Sequence, residues 1–105
     1  MADSYWKKAE RQVGEILGGK RNTHDKGSNV PDVEHDWLAP EVKSRKEVPG
    51  WLIEALMQAE ANAEKCKLPI DCIMERGKRG GKSDEQAGMH LAVIRLETFR
   101  DWFVK

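Results

Sequence analysis

The sequence predicts a single α/β domain over residues 1–105, with a mixed central β-sheet flanked by helices. Three observations carry that prediction. Apolar residues recur at helical spacing over 4–17 and 51–66. Short runs of strand character fill the hairpin 31–46 and the stretches 68–75 and 89–96. A chain of 105 residues has room for one domain with one modest core. The order is helix, hairpin strands, helix, strand, strand, helix, so the second helix can cross over between parallel strands.

The first helix, 4–17, sets Trp6, Ala9, Val13, Ile16 and Leu17 on one stripe. Ser4 is placed to cap its start and Gly18-Gly19 to end it. Glu10 borders the stripe while Glu15 lies nearly opposite, so Glu10 is the carboxylate that can reach an internal site. Its other reading is a solvated side chain pairing with Arg11 or Lys7. Residues 18–30 form a loop with room for a short strand near Arg21–His24. Glycine lets backbone N–H groups approach phosphates, and Lys20, Arg21, Lys26 and Ser28 are candidate phosphate contacts. A plain connecting loop is the alternative.

The hairpin 30–46, VPDVEHDWLAPEVKSRK, is the stretch that carries chemistry. Asp32 follows a proline, and nine positions on comes Glu41-Val42-Lys43, with the pattern of a short strand. Alternation points Glu41 and Lys43 one way and Val42 the other. Asp32 and Glu41 with one lysine can therefore converge. Two carboxylates at one spot repel unless a cation compensates, and hard oxygen ligands suit Mg²⁺ or Mn²⁺. A lysine beside them can orient a water or stabilise charge on a phosphate. Glu34 shares a face with Asp32 and is a secondary candidate. His35, Val33 and Trp37 share the other face, where His35 is expected to pack or cap a neighbouring group.

Pro49-Gly50 opens the second helix, 51–66, with Leu52, Ala55, Leu56, Ala59, Ala63 and Cys66 on its stripe. Residues 68–75 form a strand with Ile70, Cys72 and Met74 on one face. An exposed loop, 76–88, precedes a buried strand over 89–96. Thr98 is placed to cap a last helix with Asp101 as its partner, and Phe99, Trp102 and Phe103 share one apolar face. They close the core or, alternatively, form a dimer contact.

The formal net charge is zero, from 18 basic and 18 acidic residues, so no global field draws the chain to nucleic acid. The distribution is more telling: basic residues sit in glycine-bearing loops on either side of one acidic cluster. Two cysteines, Cys66 and Cys72, are too few for a disulfide framework and are expected in or near the core. No apolar run is long enough to span a bilayer and the first residues lack a signal-peptide pattern, so an intracellular location is expected.

Pro31-Asp32 with Glu41-Val42-Lys43 resembles the PD-(D/E)XK nuclease superfamily. The extension Ser44-Arg45-Lys46 is similar to small Holliday-junction-resolvase-like endonucleases of archaea and phages, and the resemblance runs from Trp6 to about Phe103. It implies a restriction-endonuclease-like core of αβββαβ order and a metal-dependent, structure-selective DNA endonuclease. It implies Mg²⁺, with Mn²⁺ substituting, held by Asp32, Glu41 and the Val42 carbonyl. Glu10-Arg11 matches a first-helix glutamate followed by a basic residue, so Glu10 would complete the site and Lys43 would orient the nucleophile. Arg45 and Lys46 join Lys20, Arg21, Lys26 and Ser28 as implied DNA contacts. Gln58 matches a glutamine of the second helix, although Asn62 stands where an aromatic partner would follow. The implied partner is DNA with a four-way junction, cut by a homodimer, in a bacterial, archaeal or phage-infected cell. Two alternatives stay open: a related nuclease that nicks or cuts flaps, forks or linear sites, and a non-catalytic DNA-binding module. No recognition helix or aromatic base-stacking motif is visible, so binding is expected to rest on phosphates and DNA shape.

Overall fold

In the computed structural model, which describes residues 4–23, 30–76 and 88–104, helix α1 (Tyr5–Leu17) is followed by a left-handed residue, Gly18, at φ 77°. Glycine reaches that conformation without the Cβ clash other residues meet. The N–H groups of Gly18 and Gly19 both turn back onto the Gly14 carbonyl, the latter at 2.8 Å. The buried stripe of α1 is Glu10, Gly14 and Leu17, so it is rotated towards Glu10 relative to the expected one. Trp6, expected within the stripe, is 44% exposed. Ser4 stands at the cap position, but its hydroxyl makes no capping bond; only its carbonyl does, accepting from Lys8 N–H at 3.2 Å.

Strand β1 (Lys20–Arg21) pairs antiparallel with β2 (Val33–Glu34), Lys20 opposite Glu34 and Arg21 opposite Val33. Gly19 makes the approach possible: a Cβ there would run into the Glu34 carbonyl oxygen and sit 3.0 Å from Val33 Cγ1. Val33 is fully buried and centres this part of the molecule with Leu17. The pairing continues beyond the short strands, with Asn22 N–H on the Asp32 carbonyl at 2.9 Å and Asp32 N–H on the Pro40 carbonyl at 3.0 Å. It goes no further as a ladder, because Pro31 and Pro40 have no N–H to give. Glu41-Val42-Lys43, expected as a strand, therefore runs beside Asp32 without forming one. The expected alternation survives: Val42 is half-buried between exposed Glu41 and Lys43.

Helix α3 (Leu96–Phe103) packs on α1. Its ring Phe99 meets Trp37 at 6.0 Å and Phe103 at 5.1 Å between centroids. Phe99 is half-buried, while Trp102 and Phe103 stay exposed. Thr98 lies inside the helix and caps nothing at its start, and Asp101 is taken by Arg100 at 2.9 Å. Residues up to Glu47 and from Leu96 onwards form one compact unit, and Val48–Arg95 form another.

In the second unit α2 (Gly50–Asn62) packs on β3 (Asp71–Met74), which pairs antiparallel with β4 (His90–Val93). The expected stripe is the covered one, with Leu56 buried and Leu52, Ala55 and Ala59 half-buried. The helix stops at Asn62 rather than 66 because residues 64–67 fold into a turn. Lys67 N–H bonds the Glu64 carbonyl at 3.0 Å, with Cys66 left-handed at φ 72°. That turn leaves Cys66 exposed, and Cys72 is exposed with Ile70 and Met74, contrary to a core placement. The face carrying Asp71 and Ile73 is the covered one, since a two-stranded sheet against one helix shelters a single face. Both ladders are antiparallel, so the expected mixed sheet with α2 crossing between parallel strands is not formed among the described residues. No helix among them is long and apolar enough to cross a membrane.

Candidate active site

The site grows from Asp32, whose backbone is fixed on both sides by the hydrogen bonds to Asn22 and Pro40. Asn22, itself buried, adds a side-chain bond from Nδ2 to the Pro31 carbonyl at 2.7 Å. The Asp32 carboxylate accepts Val42 N–H on Oδ2 at 2.7 Å, which locks the Glu41-Val42-Lys43 segment to the Pro31-Asp32 segment. A short bond of this kind, N–H onto a charged acceptor, is among the stronger hydrogen bonds a chain makes.

Glu10, Asp32, Glu41, Val42, Lys43 and Arg45 line one cleft of about 430 Å³. Tyr5, Trp6 and Ser44 complete its wall. The cleft thus gathers the two carboxylates, the lysine and the helix glutamate that were singled out in the sequence. Glu10 is 5% exposed, and its charge is met by Arg21, whose Nε donates to Oε1 at 2.7 Å. The Arg21 guanidinium carbon lies 5.4 Å from the Trp6 ring centre, and Lys7 Nζ lies 5.3 Å from it. Arg21 was expected to meet phosphate. Its side chain is instead only 18% exposed and committed to Glu10, because a buried carboxylate needs a partner more than a surface phosphate does.

The remaining candidates are dispersed. Lys20 and Lys46 are exposed, and Lys26 and Ser28 lie outside the described residues. Glu34 is exposed and does not line the cleft. Alternation in β2 sends it the opposite way from buried Val33, and the Asp32 side chain turns to Val42. Gln58 is exposed on α2 in the second unit. His35 is a fastener: Nε2 lies 2.8 Å from the Leu17 carbonyl, and Nδ1 faces the N–H groups of Trp37 and Leu38, each at 3.3 Å. The backbone N–H groups can only donate and the carbonyl can only accept, so Nδ1 serves as acceptor and Nε2 as donor. It ties the end of α1 to the turn that leads into Glu41.

Tyr5 is a cleft residue that the sequence pattern did not single out. The one available signal was that Trp6 and Glu10 are four apart on a helix, which brings the aromatic start of α1 to the same flank as the carboxylate.

Oxygen donors of this sort fit a hard divalent cation. Mg²⁺ is commonly held by one or two carboxylates, with water and substrate phosphate filling the other positions. Asp32 and Glu41, which both line the cleft, are carboxylates of that kind. Among the described residues no group of three or more His, Cys, Asp and Glu side chains is arranged to hold a metal, so Glu10 is not a third member of such a cluster. Compared with known proteins, the chain gives no significant match to any family model, curated protein or solved structure.

Proposed function

We propose that the chain is a metal-dependent DNA endonuclease of the PD-(D/E)XK kind, selective for branched DNA in the manner of Holliday junction resolvases, and that it works as a homodimer. The observation that carries this reading is the shared cleft of Asp32, Glu41, Val42 and Lys43, stapled by the 2.7 Å bond from Val42 N–H to Asp32. The restriction-endonuclease-like core belongs to the same proposal. Asp32, Glu41 and the Val42 carbonyl would hold Mg²⁺ or Mn²⁺, which when bound polarises the phosphoryl oxygen and favours an ionised water.

The chain's own groups account for the rest. A water attacks phosphorus in line; its bond to phosphorus forms as the bond to the leaving oxygen breaks, its proton passes to solvent, and the leaving oxygen takes a proton from solvent to become a free hydroxyl. Lys43 lies on the same wall and places an ammonium against the non-bridging oxygens, where negative charge accumulates. Arg45 also lines the cleft, and its guanidinium suits a neighbouring phosphate. Glu10 lines the cleft with its carboxylate held in place by Arg21, where it can orient the attacking water.

One observation favours a second reading. With Glu10 committed to Arg21 and no three-carboxylate cluster among the described residues, a DNA-binding module that cleaves nothing would also keep this cleft. The test is cleavage of a labelled four-way junction beside linear duplex of the same sequence, with Mg²⁺ or with EDTA, for the wild type and Glu41→Ala. Paired, Mg²⁺-dependent cuts confined to the junction and lost in Glu41→Ala are expected. Equal cutting of linear DNA discards the junction preference, and no cutting by folded protein with Mg²⁺ or Mn²⁺ leaves the binding module.

A further inference from the structure

The start of α1 presents two aromatic side chains to the cleft, and one of them faces water almost completely. Tyr5 is 84% exposed and Trp6 44% exposed, and both line the cleft that holds Asp32, Glu41, Lys43 and Arg45. A large ring left in water at the first residue of a helix gains nothing from packing there. Trp6 has a structural account, since Arg21 and Lys7 bring cations to its ring and Arg21 in turn holds Glu10. Tyr5 has no such account among the described residues.

We propose that Tyr5 is a stacking platform for a DNA base that has lost its stacked neighbour next to the scissile phosphate. This rests on the nuclease reading of the cleft and names its substrate class: DNA in which at least one base beside the cut is unstacked. The charge arrangement favours that occupant over an apolar peptide. Lys43 and Arg45 line the cleft with Tyr5, so a backbone phosphate has cations to meet while its base has a ring to lie on. Aromatic platforms beside a cationic track are how proteins hold single strands without reading sequence, because every base has a π-face. A paired base in continuous duplex is already stacked and cannot use Tyr5, so the platform discriminates against intact linear DNA.

The test uses the full chain in EDTA, so that binding is read without cleavage. Two probes share one duplex sequence: a blunt duplex, and the same duplex with a single-stranded overhang bearing 2-aminopurine at its first unpaired position. Wild type and Tyr5→Phe should bind the overhang about ten-fold or more tightly than the blunt duplex and quench the 2-aminopurine. Tyr5→Ala, at an exposed position and folded by circular dichroism, should lose both the preference and the quenching while keeping its blunt-duplex affinity. If Tyr5→Ala keeps the preference, or weakens both probes equally, the platform is overturned. Absence of any overhang preference in the wild type overturns it too. The cleavage assay with Glu41→Ala is independent: stacking without cleavage sinks the nuclease reading alone, and cleavage without stacking sinks the platform alone.

Discussion

Glu10 is a buried carboxylate whose neighbourhood is decided by one guanidinium. Arg21 reaches it from β1, eleven residues away in sequence, and lies over Trp6 while doing so. Removing Arg21 leaves a carboxylate in a site from which water is largely excluded, and an unpartnered buried charge is far costlier than the pair is stabilising. Arg21→Ala should therefore lower stability by about 2 kcal/mol, less than a fully buried pair would cost, because the arginine side chain keeps some contact with water. Glu10→Ala in the same background should restore part of the loss. A urea-denaturation cycle over the two single variants and the double variant measures this, and strict additivity would mean the contact contributes nothing. Arg21→Lys should recover charge but not the flat contact with Trp6, and so fall between. Periodicity placed Glu10 at the edge of the helix stripe but could not identify its partner, since that pairing depends on how β1 folds back.

At the scale of elements, the hydrogen-bonded fork between α2 and the residue just past β4 is a feature that responds to pH. Arg95 Nε and a terminal nitrogen donate to the two oxygens of Glu60 at 2.8 and 2.7 Å. These bonds, chiefly, and the arginine's charge hold the Glu60 carboxyl below its ordinary value of 4.5. A carboxyl whose folded pKa is depressed contributes stability above its unfolded pKa and loses it as pH falls through the folded one. Wild type should thus exceed Glu60→Gln in stability at neutral pH, and the gap should close on acidification below 4.5. Urea midpoints for both proteins across that range test it, and a gap that stayed constant with pH would refute it. Elements were legible where their signal is local: α1 ends at the Gly18-Gly19 signal, and α2 begins at Pro49-Gly50 and buries the predicted Leu56 face. They were not where the outcome depends on distant partners. The 64–67 turn ends α2 early, and two prolines deny Glu41-Val42-Lys43 a ladder although its alternation is kept.

For the whole molecule, zero net charge means that any attraction to DNA must be local. Of the candidate cations, Lys26 lies outside the described residues and Arg21 is spoken for by Glu10, which leaves Lys43 and Arg45 lining the cleft and exposed Lys46 next to them in the chain. The sequence made Asp32, Glu41, Lys43 and Arg45 legible because they lie within one short stretch, whereas the commitment of Arg21 and the exposure of Tyr5 needed the folded chain. On the proposed function, three such cations neutralise about three phosphates, so log K should fall against log salt with a slope of about −3. A strongly basic DNA-binding protein of similar size would show a steeper one. Arg45→Ala should reduce the slope by about one and weaken binding to every sequence alike, since a phosphate contact carries no base information. Arg21→Ala should leave the slope unchanged even though it lowers stability, because its charge is spent inside the protein. Fluorescence anisotropy on one junction probe across a salt series measures all three proteins. If Arg21→Ala also lost a unit of slope, the guanidinium would be leaving Glu10 to meet phosphate when DNA binds, and the Glu10 carboxylate would then be released to the cleft at the moment the substrate arrives.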